Sequence, residues 1–170
     1  VIPEVVTQVA AQVIGNDVRF GRDGIFVTTS RNVLFQDNRF TELRFAIHYM
    51  YTQDSRVIGN HSTGNHIGWA IMFSDRLEIR DNVSIDDREH GLMLNAANDS
   101  VITGNVVRNG HEKCVFIYNA NKNLIADNWF EGCPIGIHFT AGSERNRVTG
   151  NAFIRNRTQV KYVSTRLVEW

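Results

Sequence analysis

Val57-Ile58-Gly59-Asn60, Ile79-Arg80-Asp81-Asn82, Ile102-Thr103-Gly104-Asn105 and Ile125-Ala126-Asp127-Asn128 repeat one pattern: an apolar strand-former, then Gly or Asp, then Asn. The closing pair falls also at Gly15-Asn16, Asp37-Asn38 and Gly150-Asn151, so the seven asparagines lie 22, 22, 22, 23, 23 and 23 residues apart. Self-similarity at a fixed period of this length marks a repeat architecture, in which each unit buries its apolar face only against its neighbours. Three residues before the last six asparagines stand Phe35, Val57, Ile79, Ile102, Ile125 and Val148, all strand-forming side chains.

A second column runs beside the first. Small-apolar-x-apolar tetrads read Gly24-Ile25-Phe26-Val27, Ala46-Ile47-His48-Tyr49, Ala70-Ile71-Met72-Phe73 and Gly91-Leu92-Met93-Leu94. They continue as Cys114-Val115-Phe116-Ile117 and Gly136-Ile137-His138-Phe139, with a weaker Gln159-Val160-Lys161-Tyr162. Alternation at period two puts the second and fourth residues on one face and the third on the other. Two short strands per repeat leave no room for a crossover helix. The chain is therefore expected to wind from strand to turn to strand as an all-β, right-handed parallel β-helix of about seven coils of 21–24 residues. The asparagines are expected to stack as a ladder of side-chain amides at one bend. Leucine-rich and hexapeptide repeats are excluded, since neither the leucine consensus nor a six-residue period occurs.

The composition agrees. Thirteen glycines and only two prolines suit strands joined by tight turns. Eighteen basic residues balance eighteen acidic ones, which argues against a nucleic-acid partner. No run of 18 apolar residues is present to span a membrane. The chain opens on Val1 without an initiator Met, and neither end carries a capping pattern. Residues 1–170 are expected to form a single β-helix domain, a central fragment of a longer solenoid, with Val1–Asn16 in an earlier coil (Val9, Val13 and Ile14 alternate weakly) and Gln159–Trp170 opening a further one.

The outward tetrad position reads Phe26, His48, Met72, Met93, Phe116, His138 and Lys161. Two residues later come Thr28, Met50, Ser74, Asn95, Tyr118, Thr140 and Val163. All three methionines of the chain thus share one face with His48. Thioether sulfur with imidazole is a soft donor set that selects copper(I). Rungs about 4.8 Å apart allow an ion to bridge neighbouring coils. His48, Met50, Met72 and Met93 are the candidate ligands, with His90 and His138 as accessory donors and Phe26, Phe116 and Tyr118 as partner contacts. The competing reading is that these methionines and aromatics pack under a loop or a partner. His61, His66, His90 and His111 are expected in turns, forming a solvated polar rim. Cys114 is expected in a small buried position and not in a disulfide with Cys133.

No pair of carboxylates stands on the outward column to flank a glycosidic bond, so catalysis is not expected. A polysaccharide-binding or lyase- or epimerase-like β-helix, or a purely structural docking scaffold, are the alternatives. No Walker motif occurs.

Several longer strings are more specific than the coil pattern: His48-Tyr49-Met50-Tyr51-Thr52, Arg88-Glu89-His90-Gly91-Leu92, Glu112 through Asn123, Gly136 through Asn146, and Thr158 through Val163. On these, the stretch from about Asp23 to Trp170 resembles the NosD family. The resemblance implies a periplasmic copper-processing protein of nitrous oxide reductase maturation. It also implies an ABC transporter complex in the inner membrane as partner, a lipoprotein copper chaperone as donor and the reductase as recipient, with ATP hydrolysed elsewhere in the complex.

Overall fold

The computed structural model describes residues 10–163. Expectations resting on Val9 and earlier residues, or on the stretch 164–170, lie outside the described residues. The strands pair in parallel from coil to coil. One sheet of seven strands stacks Ala11–Ile14, Val33–Gln36, Arg56–Ile58, Glu78–Arg80, Val101–Thr103, Leu124–Ala126 and Arg147–Thr149. A second sheet of twelve strands begins with the long strands Asp17–Thr28 and Arg39–Met50. Later coils break at the same place into two short strands, as in His61–Thr63 and Ile67–Met72. Phe35, Val57, Ile79, Ile102, Ile125 and Val148 pair in succession at 22- or 23-residue steps. The expected parallel β-helix and its coil length are the observed ones.

The asparagine ladder is fully formed. Nδ2 of Asn16, Asn38, Asn60, Asn82, Asn105 and Asn128 each donates to Oδ1 of the next asparagine, at 2.8–3.0 Å. Each Oδ1 also accepts the backbone N–H of the asparagine below it. The corner thereby satisfies polar groups that would otherwise be orphaned inside a coil too short to reach water.

The residue before each asparagine turns the corner with positive φ: Asp37, Asp81 and Asp127 near 56°, Gly59, Gly104 and Gly150 near 66°. Their strict alternation has a steric cause. A Cβ at Gly59 would lie 2.5 Å from Oδ1 of Asp37, and one at Gly104 2.5 Å from Oδ1 of Asp81. Each aspartate carboxylate occupies the space over the next coil's corner; glycine leaves it in place, and any other side chain would have to push it aside. Three further columns of positive-φ residues mark the other corners, among them Tyr51, Phe73, Ala96 and Asn119.

The structure corrects the register of the third coil. Ile47 pairs with Trp69 and His48 with Ala70, so its tetrad is Gly68-Trp69-Ala70-Ile71, and Met72 pairs with Met50. Phe73 is not a core residue. It sits on an exposed corner and stacks on Tyr51 at 5.2 Å between ring centroids. A two-residue slip preserves alternation, so period two alone does not reveal it.

The small tetrad residue faces inward. Ala46 and Cys114 are fully buried, and a Cβ on Gly91 would meet Cγ1 of Val107 at 2.2 Å. Cys114 fits this column as expected, but it is bonded to Cys133, with Cα atoms 5.6 Å apart. Cys133 lies three residues before Gly136, the next small residue, at a corner that points into the core. That placement brings two cysteines 19 residues apart within disulfide reach.

Candidate metal centre

The inward bend at the small residue breaks period two, so residues three apart share the outer face. Phe45 lies edge-on to His48 at 4.9 Å. A third outward column therefore precedes the tetrad: Asp23, Phe45, Ile67, His90 and Lys113, paired in that order. His90 belongs to this column and is 2% exposed at the start of a strand. It is not the turn residue of a solvated rim that its sequence position suggests. His66 and His111 are exposed corner residues, as expected.

With the corrected register, four of the candidate ligands surround one position. Ala70 faces outward yet is wholly buried. His48 precedes it and Met93 follows it on the neighbouring coils. Met72 lies two residues on along the same strand, and Met50 pairs with Met72. The donors thus form a cluster around a small residue, with Met72 moved one column sideways from its sequence-based place.

His48 is held from one side. Its Nδ1 lies 3.3 Å from Oδ2 of Asp23. Asp23 accepts both Nε (2.9 Å) and Nη2 (2.6 Å) of Arg44. Burial disfavours the charged form of Asp23, but these bonds outweigh it and hold its carboxyl below the usual range. An ionised Asp23 can only accept, so Nδ1–H of His48 donates to it, and in the neutral imidazole that places the lone pair on Nε2. Nε2 is buried and has no hydrogen-bond partner. A carboxylate behind one imidazole nitrogen and an unpaired lone pair on the other is the arrangement that orients histidine metal ligands. Phe26 (4.9 Å) and Phe45 wall the ring. Sequence reasoning missed Asp23 and Arg44. The signal for Asp23 is its separation from His48, 25 residues, one coil plus the three-residue column offset.

His138 is not part of this cluster. Ala70, Met93 and Phe116 stand between it and His48 in the column, about 19 Å of sheet at the usual strand spacing. Both its nitrogens lack partners. Burial, with Lys161 and Lys113 nearby, lowers its pKa and keeps the imidazole neutral. Of the three candidate contact residues, Phe26 and Tyr118 are exposed, while Phe116 is half-buried under the Lys113 ammonium. Tyr51 and Phe73 add an exposed aromatic pair at the end of the methionine strands.

Fold and face together define a parallel β-helix that presents thioether and imidazole donors on its long sheet. The family model described as "Periplasmic copper-binding protein (NosD)" matches residues 6–170, and the chain belongs to that family. It is similar to the "Probable ABC transporter binding protein NosD" of Stutzerimonas stutzeri, 42% identical over 60% of this chain and 27% of that protein. A protein of the same description from Pseudomonas aeruginosa is likewise 42% identical, over 57% of this chain and 26% of its own length. The chain thus aligns with about a quarter of the length of these relatives. No helix among the described residues is long and apolar enough to cross a membrane.

Proposed function

We propose that this chain holds copper as Cu(I) in transit, over Ala70, between Nε2 of His48 and the sulfurs of Met72 and Met93, with Met50 as an exchange ligand beside them. The observation that carries this reading is the buried, unpaired Nε2 of His48, oriented from behind by Asp23. Neutral imidazole and thioethers suit Cu(I), bind it exchangeably, and stay in place because strands fix them. His90 and His138 stand outside this set. Phe26, Phe116 and Tyr118 border it as contacts for a docked protein.

The copper is cargo. An ABC transporter complex at the inner membrane, a copper chaperone lipoprotein and nitrous oxide reductase are the proposed partners. The names of the two relatives support the transporter. The Cys114–Cys133 bond suits an oxidising periplasm. The test is an anaerobic Cu(I) titration against a chromophoric chelator, repeated with Met72→Leu and Met93→Leu combined. Leucine conserves volume, so the fold persists. Affinity is expected to fall at least tenfold. Unchanged affinity in the double variant removes the assignment.

A further inference from the structure

Among the described residues, one group of three side chains already has donor atoms close enough for an ion outside the copper cluster: Glu89, His90 and Glu112, all within 4.8 Å of one another. A fourth donor adjoins it, since Nε2 of His66 lies 2.7 Å from Oε2 of Glu89. The fold builds this grouping. His66, Glu89 and Glu112 occupy the same corner of three consecutive coils, 23 residues apart. The backbone N–H of Glu89 donates to His66 O at 2.9 Å, and that of Glu112 to Glu89 O at 3.0 Å. His90 stands beside them at 2% exposure, Nε2 3.5 Å from Oε1 of Glu89, with its buried Nδ1 unpaired. Nε2 is thus the nitrogen that this buried imidazole turns toward the carboxylates, and an ion held there would bind it together with Glu89.

We infer that His66, Glu89, His90 and Glu112 form a second metal site, one that takes a borderline divalent ion of the Zn(II) or Cu(II) kind. Two imidazoles with two carboxylates are the wrong donors for Cu(I), which prefers thioether, and for Mg(II) or Ca(II), which prefer oxygen alone. Metal–ligand distances near 2.0–2.2 Å need the donors drawn slightly closer than they stand, which the exposed His66 and Glu112 side chains permit. The competitor is Lys113, whose Nζ lies 3.0 Å from Oε2 of Glu112. The ammonium is the cation that a metal displaces. His90 and Met93 share one strand, so this harder site lies beside the thioether cluster on the same sheet. The inference does not rest on the Cu(I) reading, because the donors differ.

The test is titration of the metal-stripped protein with Co(II), read by visible absorption, and then with Zn(II) to displace it. One equivalent is expected to bind. Glu89→Gln and His66→Ala, both at exposed or half-exposed positions, are each expected to weaken binding at least tenfold. Lys113→Gln is expected to strengthen it about twofold to fivefold by releasing Glu112. The Met72→Leu, Met93→Leu pair is expected to bind Co(II) and Zn(II) as the parent does, which separates the two sites. Absence of Co(II) and Zn(II) binding, unchanged affinity in Glu89→Gln and His66→Ala, or loss of binding in the methionine variant would each overturn the proposal.

Discussion

Asn82 sits at the middle of the amide ladder, and replacing it by Ala isolates what the ladder contributes. The side chain is fully buried. Its Oδ1 accepts from the backbone N of Asn60 at 2.9 Å and from Nδ2 of Asn60 at 3.0 Å. Its Nδ2 donates to Val57 O and to Asn105 Oδ1, both at 2.9 Å. Asn82→Ala removes all four bonds. The Nδ2 of Asn60 retains Phe35 O and Ile58 O as acceptors, so the true orphan is the buried Asn60 backbone N–H. Four bonds at about 1 kcal/mol net each, with about 1–2 kcal/mol for the orphan, give a loss of about 5 kcal/mol. That is a large share of the stability of a chain this size, and lowers Tm by roughly 10–20 °C. Asn151 makes an equivalent set near the end of the described coils but is only partly buried, where water replaces what is lost. Asn151→Ala is therefore expected to cost about 1–2 kcal/mol. Urea denaturation of the two variants, followed by circular dichroism, makes the comparison. Equal losses in both, or a loss under about 1 kcal/mol at Asn82, refute the claim that the buried ladder holds the corner.

Three further outcomes are expected. Asp23→Asn weakens Cu(I) binding about 10- to 100-fold in the chelator competition while leaving the urea midpoint near that of the parent, because it frees the back of His48; an unchanged affinity refutes its positioning role. Replacing Cys114 and Cys133 together by Ala lowers stability by about 3 kcal/mol, the loop-closure value for a cross-link of this length, and leaves Cu(I) affinity intact; a calorimetric scan with and without reductant checks it. Asp87 is wholly buried, and burial pushes its carboxyl up to about 6, against the opposing hydrogen bonds from Ser84, Ser62 and the Asn65 backbone. Its folded pKa lies above the unfolded one. Its contribution is thus complete below about pH 4 and is lost as pH rises through about 6, roughly 3 kcal/mol in all. Asp87→Asn is expected to flatten that slope, and parallel stability curves for parent and variant between pH 4 and 7 contradict it.

The coil and the ladder were legible because they rest on one dimension of the sequence. A 22- to 23-residue spacing of Asn survives any local irregularity, and stacking then follows. The outer face was legible only where period two holds. Ala70-Ile71-Met72-Phe73 and Gly68-Trp69-Ala70-Ile71 satisfy the same tetrad pattern, and only the constancy of the 22- and 23-residue step distinguishes them. The wrong choice turned a cluster around Ala70 into a line along one column. His90 and Asp23 were misplaced or missed for a different reason: the small residue bends inward, so the face continues three residues upstream, where alternation assigns the opposite side. The Cys114–Cys133 bond escaped because its separation of 19 matches no coil multiple. It becomes visible once a corner three residues before the next small residue is known to face the core.

The alternation of aspartate and glycine at the asparagine corner has a consequence for how such a molecule lengthens. Its true unit is a pair of coils, the 45 residues from Asn60 to Asn105, and not the single turn. Excising a glycine-bearing coil would set aspartate above aspartate, with a carboxylate oxygen pressed against a Cβ as it would be at Gly59, whereas excising an aspartate-bearing coil would set glycine on glycine. Excising two restores the match. Gene segments that duplicate or delete whole pairs would keep this corner's match, while a change that brings two aspartates together would force one carboxylate to move aside.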